Sequence, residues 1–139
     1  MFLNHRQYMR FLSGNFADVA VVGFLPGEFA AQMPTLSTAV QISSAYAKKI
    51  WEKHRLGHQV FGLIQPIIDC GYCIKSRKNN LDFLYIDDRS LPKRYLLGLK
   101  AARGGKETWV TTLYTIDEQE LRRRLKRANK ADSLIRKHL

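Results

Sequence analysis

The chain is expected to fold as one α+β domain: helices first, then an antiparallel sheet of about four strands, then a basic helix. Three observations predict this. Before Gly71 short strand and helix patterns are mixed, and after it the apolar residues alternate with a period of two. The later segments are separated by runs of turn residues, Lys78-Asn79-Asn80, Asp87-Asp88-Arg89-Ser90 and Arg103-Gly104-Gly105, and such short connections imply antiparallel neighbours. Asp117, with Glu120 at the third position after it, then opens a last helical segment in the manner of a capping box.

Taken in order, Asp18 to Phe24 reads as a buried strand, and Leu25-Pro26-Gly27-Glu28 turns into a short helix from Glu28 to Met33. Ala39 to Ile42 alternates like a strand. Ser43 or Ser44 can then cap a helix from Ala45 to His54, whose apolar positions are Ala47, Ile50 and Trp51. Phe61 to Ile68 is a short helical segment that Pro66 either starts late or bends. Tyr72 to Lys75, Asp82 to Ile86, Tyr95 to Ala101 and Thr108 to Tyr114 read as strands. The final helix runs from Glu118 to about Lys130, with Leu121, Leu125 and Ala128 on its apolar stripe. No repeat or low-complexity linker divides the 139 residues, so residues 1–139 form a single domain.

Composition narrows the functional classes. The formal net charge is +11, and its distribution is uneven. Residues 1–40 are balanced, Arg6 and Arg10 against Asp18 and Glu28, whereas Leu121 to Leu139 carries eight Lys/Arg against Asp132. A positive field of this size draws polyanions and raises their encounter rate; nucleic acid, an anionic membrane surface and an acidic protein partner all qualify. The hydrophobic content of 45% argues against disorder. The longest apolar stretch, Val19 to Leu25, is broken by Gly23 and is far below the roughly 20 residues of a spanning helix. The first ten residues are too polar for a signal peptide, and two cysteines make no secreted disulfide scaffold. A cytoplasmic location and no membrane partner are expected.

Four groups of residues invite chemistry. Arg122, Arg123, Arg124, Lys126 and Arg127 cannot all face a core, so most point to water, as a solvated face or as phosphate contacts. Cys70-Gly71-Tyr72-Cys73 has the redox spacing, but it follows a helical stretch and enters a strand, the reverse of the redox context. His54 and His58 with those cysteines supply enough ligands for zinc, yet Gly57 interrupts the helix between the histidines and the order is unusual. No metal and no cofactor is expected. Lys100 shares its strand face with Leu96 and Gly98, while Thr112 and Tyr114 share one in the next strand, with Thr111, Trp109 and Leu113 opposite. With His54, these residues match what RNA cleavage needs: a proton acceptor and donor, a fixed cation and hydroxyl donors for the phosphate. From spacing alone, a snorkelling lysine, an ordinary strand threonine and a helix-capping histidine are the plainer reading.

At these residues the sequence resembles the phage-borne branch of the barnase–EndoU–colicin–RelE-like nucleases, over roughly Val21 to Lys126. Four stretches carry the resemblance: Ser43 to His54 (SSAYAKKIWEKH), Leu63 to Gly71 (LIQPIIDCG), Tyr95 to Lys100 (YLLGLK) and Glu107 to Tyr114 (ETWVTTLY). It implies N-terminal helices packed on a curved four-stranded antiparallel sheet, and RNA cleaved in the cleft of that sheet to a 2′,3′-cyclic phosphate without metal. It further implies that His54 is general acid or base, that Lys100 stabilises charge, and that Thr112 and Tyr114 position the phosphate. Lys53 and the cations from Arg122 to Arg127 are the expected nucleic-acid contacts. Barnase-like members use a glutamate base, for which Glu107 alone offers itself, at a strand's edge. The expected role is an endoribonuclease acting as a toxin or phage effector, with RNA, transfer RNA included, and a cognate inhibitor protein as partners. The competing role is a non-catalytic nucleic-acid-binding protein of a phage or mobile element.

Overall fold

A computed structural model gives the architecture for residues 5–12, 18–33, 38–54, 58–87, 93–102 and 104–136, the side chains at positions 5, 8, 54, 58, 59 and 136 excepted. The elements run α1 (His5–Leu12), β1 (Val19–Phe24), α2 (Gly27–Gln32), β2 (Ala39–Ser43) and α3 (Ser44–His54). A 3-10 helix (His58–Leu63), α4 (Ile64–Cys70), β3 (Tyr72–Arg77), β4 (Asn80–Asp87), β5 (Lys93–Ala101), β6 (Thr108–Ile116), α5 (Glu118–Lys130) and β7 (Leu134–Arg136) follow.

The expected four-stranded antiparallel sheet is corrected here: the sheet has seven strands in the order β1-β2-β6-β5-β4-β3-β7 and is mixed. The four expected strands form its centre and are antiparallel, as the short turns require. β1 and β2 pair antiparallel and extend that centre on one side. β2 lies parallel to β6, Val40 opposite Thr108 and Gln41 opposite Trp109. β7 adds to the other side against β3. Local patterning marks β1 and β2 as strands too, but it carries no signal that they join a strand as distant in the chain as β6, so only the central four are expected to make the sheet.

The local chemistry of the elements is simple. The Ser43 hydroxyl accepts from Tyr46 N at 3.1 Å and so starts α3, and the Asp117 carboxylate accepts from Glu120 N at 2.7 Å and starts α5. Pro66 sits in the first turn of α4, where its missing N–H costs nothing. Gly104 and Gly105 take positive φ (86° and 71°) in the turn before β6. Gln65 acts as a strand partner for the edge of β1: its amide accepts from Phe24 N and donates to Phe24 O. Asp88, Arg89, Ser90, Arg103 and Gly57 lie outside the described residues.

Two cores flank the sheet. The larger gathers Phe11, Phe29, Ala47, Ile50, Phe61, Ile64 and Ile67 from the N-terminal helices against Val40, Ile42, Phe83, Leu97, Leu99 and Leu113. Phe29 meets Phe83 edge to face at 5.6 Å. The smaller lies on the opposite face, where Leu121 and Ala128 of α5 cover Ile74, Leu84 and Leu96. Helices therefore cover both faces, and α5 covers the second.

Candidate active site

The face under α5 changes character along the strands. On β4 the residues facing α5 run Asp82, Leu84, Ile86, on β5 they run Lys100, Gly98, Leu96, Arg94, and on β6 they run Thr112, Tyr114, Ile116. Leu84, Ile86, Leu96 and Ile116 of these rows lie together under α5, and Arg94 ends the β5 row beside Glu118 of that helix. The polar ends also lie together, since Asp82 is opposite Gly98, and Gly98 opposite Thr112.

Gly98 is the gap at the centre of this polar end. A Cβ built there would stand 3.2 Å from an Asp82 carboxylate oxygen, 3.2 Å from the Thr112 hydroxyl and 3.0 Å from Thr112 Cβ. Any larger residue would separate the two oxygen groups or push them aside. Ser76 hydrogen-bonds to the Asp82 carboxylate, and Arg124 of α5 and Arg77 act on it by charge. Burial raises the Asp82 pKa above the ordinary aspartate value, and it outweighs the opposing pulls of Arg124, Ser76 and Arg77. Arg124 is held by Glu120, Nε to carboxylate at 2.7 Å, and its guanidinium comes within 3.5 Å of the Tyr114 hydroxyl.

The β5–β6 register shifts at this point. Gly98 pairs with Thr112, but Leu99 pairs with Val110, so Thr111 is an extra residue, a β-bulge. The Thr111 hydroxyl donates to Gly98 O at 3.3 Å. The bulge turns Trp109 onto the face of Lys100, its register partner, and away from the Leu113 face expected from unbroken alternation.

Lys100, Thr112 and Tyr114 therefore share one face. Lys100 is exposed and pairs in register with Asn80 and Trp109. α3 packs on the other face through Ala47 and Ile50. His54 ends that helix, and its side chain lies outside those described. Lys53 is exposed on α3. On α5, Arg122, Arg123, Lys126 and Arg127 are exposed, and Arg124 is half-buried against the sheet. Arg122 is bonded to Glu118 at 2.7 Å and Arg123 to Glu120, so part of the charge run is neutralised within the helix. Glu107 is exposed just before β6.

Asp82 is the residue that sequence reasoning missed. Its signal was present: in Leu81-Asp82-Phe83-Leu84-Tyr85-Ile86 it is the one charged residue among apolar neighbours on a central strand. Cys70 ends α4 and Cys73 is buried in β3, and the two are not joined by a disulfide. Among the described residues no group of three or more His, Cys, Asp or Glu could hold a metal ion, and the side chains of His54 and His58 lie outside those described. No helix among them is long and apolar enough to cross a membrane.

Comparison with protein-family models, with curated proteins and with solved structures finds no match to this chain.

Proposed function

We propose that the polar end of the face under α5 binds RNA and cleaves it by transesterification without a metal. The supporting observation is the convergence of a half-buried carboxylate, a hydroxyl and an arginine near Gly98, with Lys100 two residues along the same strand. In this reading the Lys100 ammonium and the Arg124 guanidinium stabilise charge developing on the phosphate, and the Thr112 and Tyr114 hydroxyls donate to its non-bridging oxygens. Asp82 accepts the proton of the 2′-hydroxyl, a task suited to a carboxyl whose pKa is raised. The 2′-oxygen then attacks phosphorus and the bond to the 5′-oxygen breaks, leaving a 2′,3′-cyclic phosphate. His54 enters as proton donor to the leaving oxygen on the family resemblance alone, since the body of α3 packs on the opposite face. The protein would act in the cytoplasm as a toxin or phage effector, on RNA that includes transfer RNA.

A second reading draws on the exposed cations of α5: a nucleic-acid-binding protein that performs no chemistry. Incubating the purified chain with total transfer RNA in excess EDTA separates the two. Fragments ending in cyclic phosphate, absent with Asp82→Asn, support the nuclease. RNA that shifts in a gel yet stays intact supports the binding protein.

A further inference from the structure

Glu120 sits three residues after the Asp117 cap, where a capping box turns a glutamate back to the N–H of the cap. Here its two carboxylate oxygens go forward along α5 instead. Oε1 accepts from Arg124 Nε at 2.7 Å, and Oε2 accepts from Arg123. Arg123 is exposed, whereas Arg124 lies half-buried against the sheet with Nη2 3.5 Å from the Tyr114 hydroxyl.

A second carboxylate lies within reach of the Arg124 charge. Arg124 and Asp82 line one cavity of about 280 Å³ between α5 and the sheet, and Arg124 exerts the strongest of the charge effects on Asp82. Yet the two form no ion pair: Asp82 is hydrogen-bonded to Ser76, and the carboxylate that Arg124 holds is Glu120. The ionisable groups around Asp82 are Lys75 and Arg77 of β3, Lys100 of β5, Tyr114 of β6, and Arg124 and Arg127 of α5. Among the described residues, Arg124 is the only cation of that group bonded to a carboxylate. Two carboxylates thus compete for one guanidinium, and unequally. Glu120 stands one turn away on the same helix, so its bond closes with little loss of freedom. A bond to Asp82 would have to cross the cavity and desolvate both charges further. Closing it would make Asp82 a weaker base and occupy donors that a phosphate could use.

The geometry points to Glu120 as a positioning residue that holds Arg124 on Tyr114 and off Asp82, so that carboxylate and guanidinium meet a substrate as separate groups. Its part in catalysis rests on the RNA-cleaving reading of this face, whereas its hold on Arg124 is measurable without RNA. The test is a carbon NMR titration of the Asp82 carboxyl in the full chain, with cleavage of transfer RNA measured alongside. The variants are Glu120→Ala, Glu120→Gln, Arg124→Met, and the double variant of Glu120→Ala with Arg124→Met.

In Glu120→Ala the Asp82 midpoint is expected to fall as the released guanidinium closes on it, and kcat to drop about tenfold or more. Glu120→Gln keeps an acceptor oxygen for Arg124 and should stay close to the unsubstituted protein in both readouts. Once Arg124 is replaced by Met, adding Glu120→Ala should leave the Asp82 midpoint where it is. A midpoint that stays or rises in Glu120→Ala overturns the inference. So does a fall of the same size without Arg124, which would report only the lost charge of Glu120. The expected midpoints in proteins that all leave RNA intact would defeat the nuclease and keep Glu120 as the holder of Arg124. Full cleavage by Glu120→Ala with an unmoved Asp82 midpoint would do the opposite.

Discussion

Asp82 and Thr112 meet across Gly98, each with an oxygen 3.2 Å from the point where a Cβ on that glycine would stand. Gly98→Ala is therefore expected to displace one of them by a few tenths of an ångström while the fold persists. A small misplacement of reacting groups costs up to about 10²-fold in rate. Alanine in a strand otherwise restrains the unfolded chain and is mildly favourable. A Gly98→Ala protein with raised melting temperature and full activity would show that the gap has no role.

Asp82→Asn should lower the rate of RNA cleavage about 10²–10⁴-fold, the usual worth of a general base. In the unsubstituted protein the acid limb of kcat/KM should lie above the ordinary aspartate range, because burial raises this pKa against the pull of Arg124. The sign for stability is opposite to that of a salt-bridged aspartate. With the folded pKa above the unfolded one, stability is greatest below the unfolded value and is lost as pH rises through the folded one. Asp82→Asn should thus stabilise the fold at pH 7, the gain fading in acid. Thermal melts from about pH 3 to 8 check this across both pKa values, and a loss of stability at neutral pH counts against a strained carboxylate.

Lys100→Ala is expected to reduce turnover about 10²–10³-fold while changing RNA affinity little, as befits a group aimed at developing charge. Lys126→Gln should instead leave turnover at saturating RNA alone. It should flatten the slope of log affinity against log salt by about 0.7 for the one phosphate it ceases to neutralise. Equal effects of the two on kcat would dissolve the distinction between site and helix surface.

Tyr46→Phe tests packing on the other face. The Tyr46 hydroxyl accepts from Leu113 N at 2.9 Å, at a point of β6 beyond the end of its neighbour β2. Removing the acceptor leaves a part-buried N–H unpaired, at about 1–2 kcal/mol. Chemical denaturation should show this loss with RNA cleavage unchanged, and an undiminished midpoint would mean that solvent satisfies the amide.

His54→Ala separates the family analogy from the geometry. If His54 donates the proton to the leaving oxygen, the substitution removes about 10²-fold or more of the rate and abolishes the basic limb of the pH profile. A profile that keeps both limbs assigns the chemistry to the α5 face alone.

Much of this arrangement is legible in the sequence. The helix from Glu118 to Lys130 with its Asp117 cap is readable because cap, stripe and charge agree locally. The four central strands are readable because each alternates between tight turns. Counting by two puts Lys100 with Gly98 on one strand and Thr112 with Tyr114 on the next, whereas the sharing of one face by the two rows comes from the register of Gly98 with Thr112. What counting cannot supply is the bulge at Thr111, which depends on hydrogen bonding between two strands and reverses Trp109. α1 and β7 escape such a reading as well: α1 is short and rich in polar residues, and β7 has three residues whose strand identity comes from β3. Asp82 is easily passed over because a lone carboxylate in an apolar strand becomes meaningful only once Ser76 and Arg124 are seen beside it.

The parallel pairing of Val40 with Thr108 and Gln41 with Trp109 also fixes an order of assembly. β3 to β6 meet their neighbours across short turns, and α5 follows at once, so these contacts close at little entropic cost. β2 must find β6 across the whole stretch between residues 40 and 108, the kind of distant contact that slows folding. The strands and helix that carry the Gly98 gap and its cavity are thus expected to form first, and the β1–β2 hairpin to dock last against a surface already made. Substitutions at the β2–β6 seam should then speed unfolding far more than they slow folding.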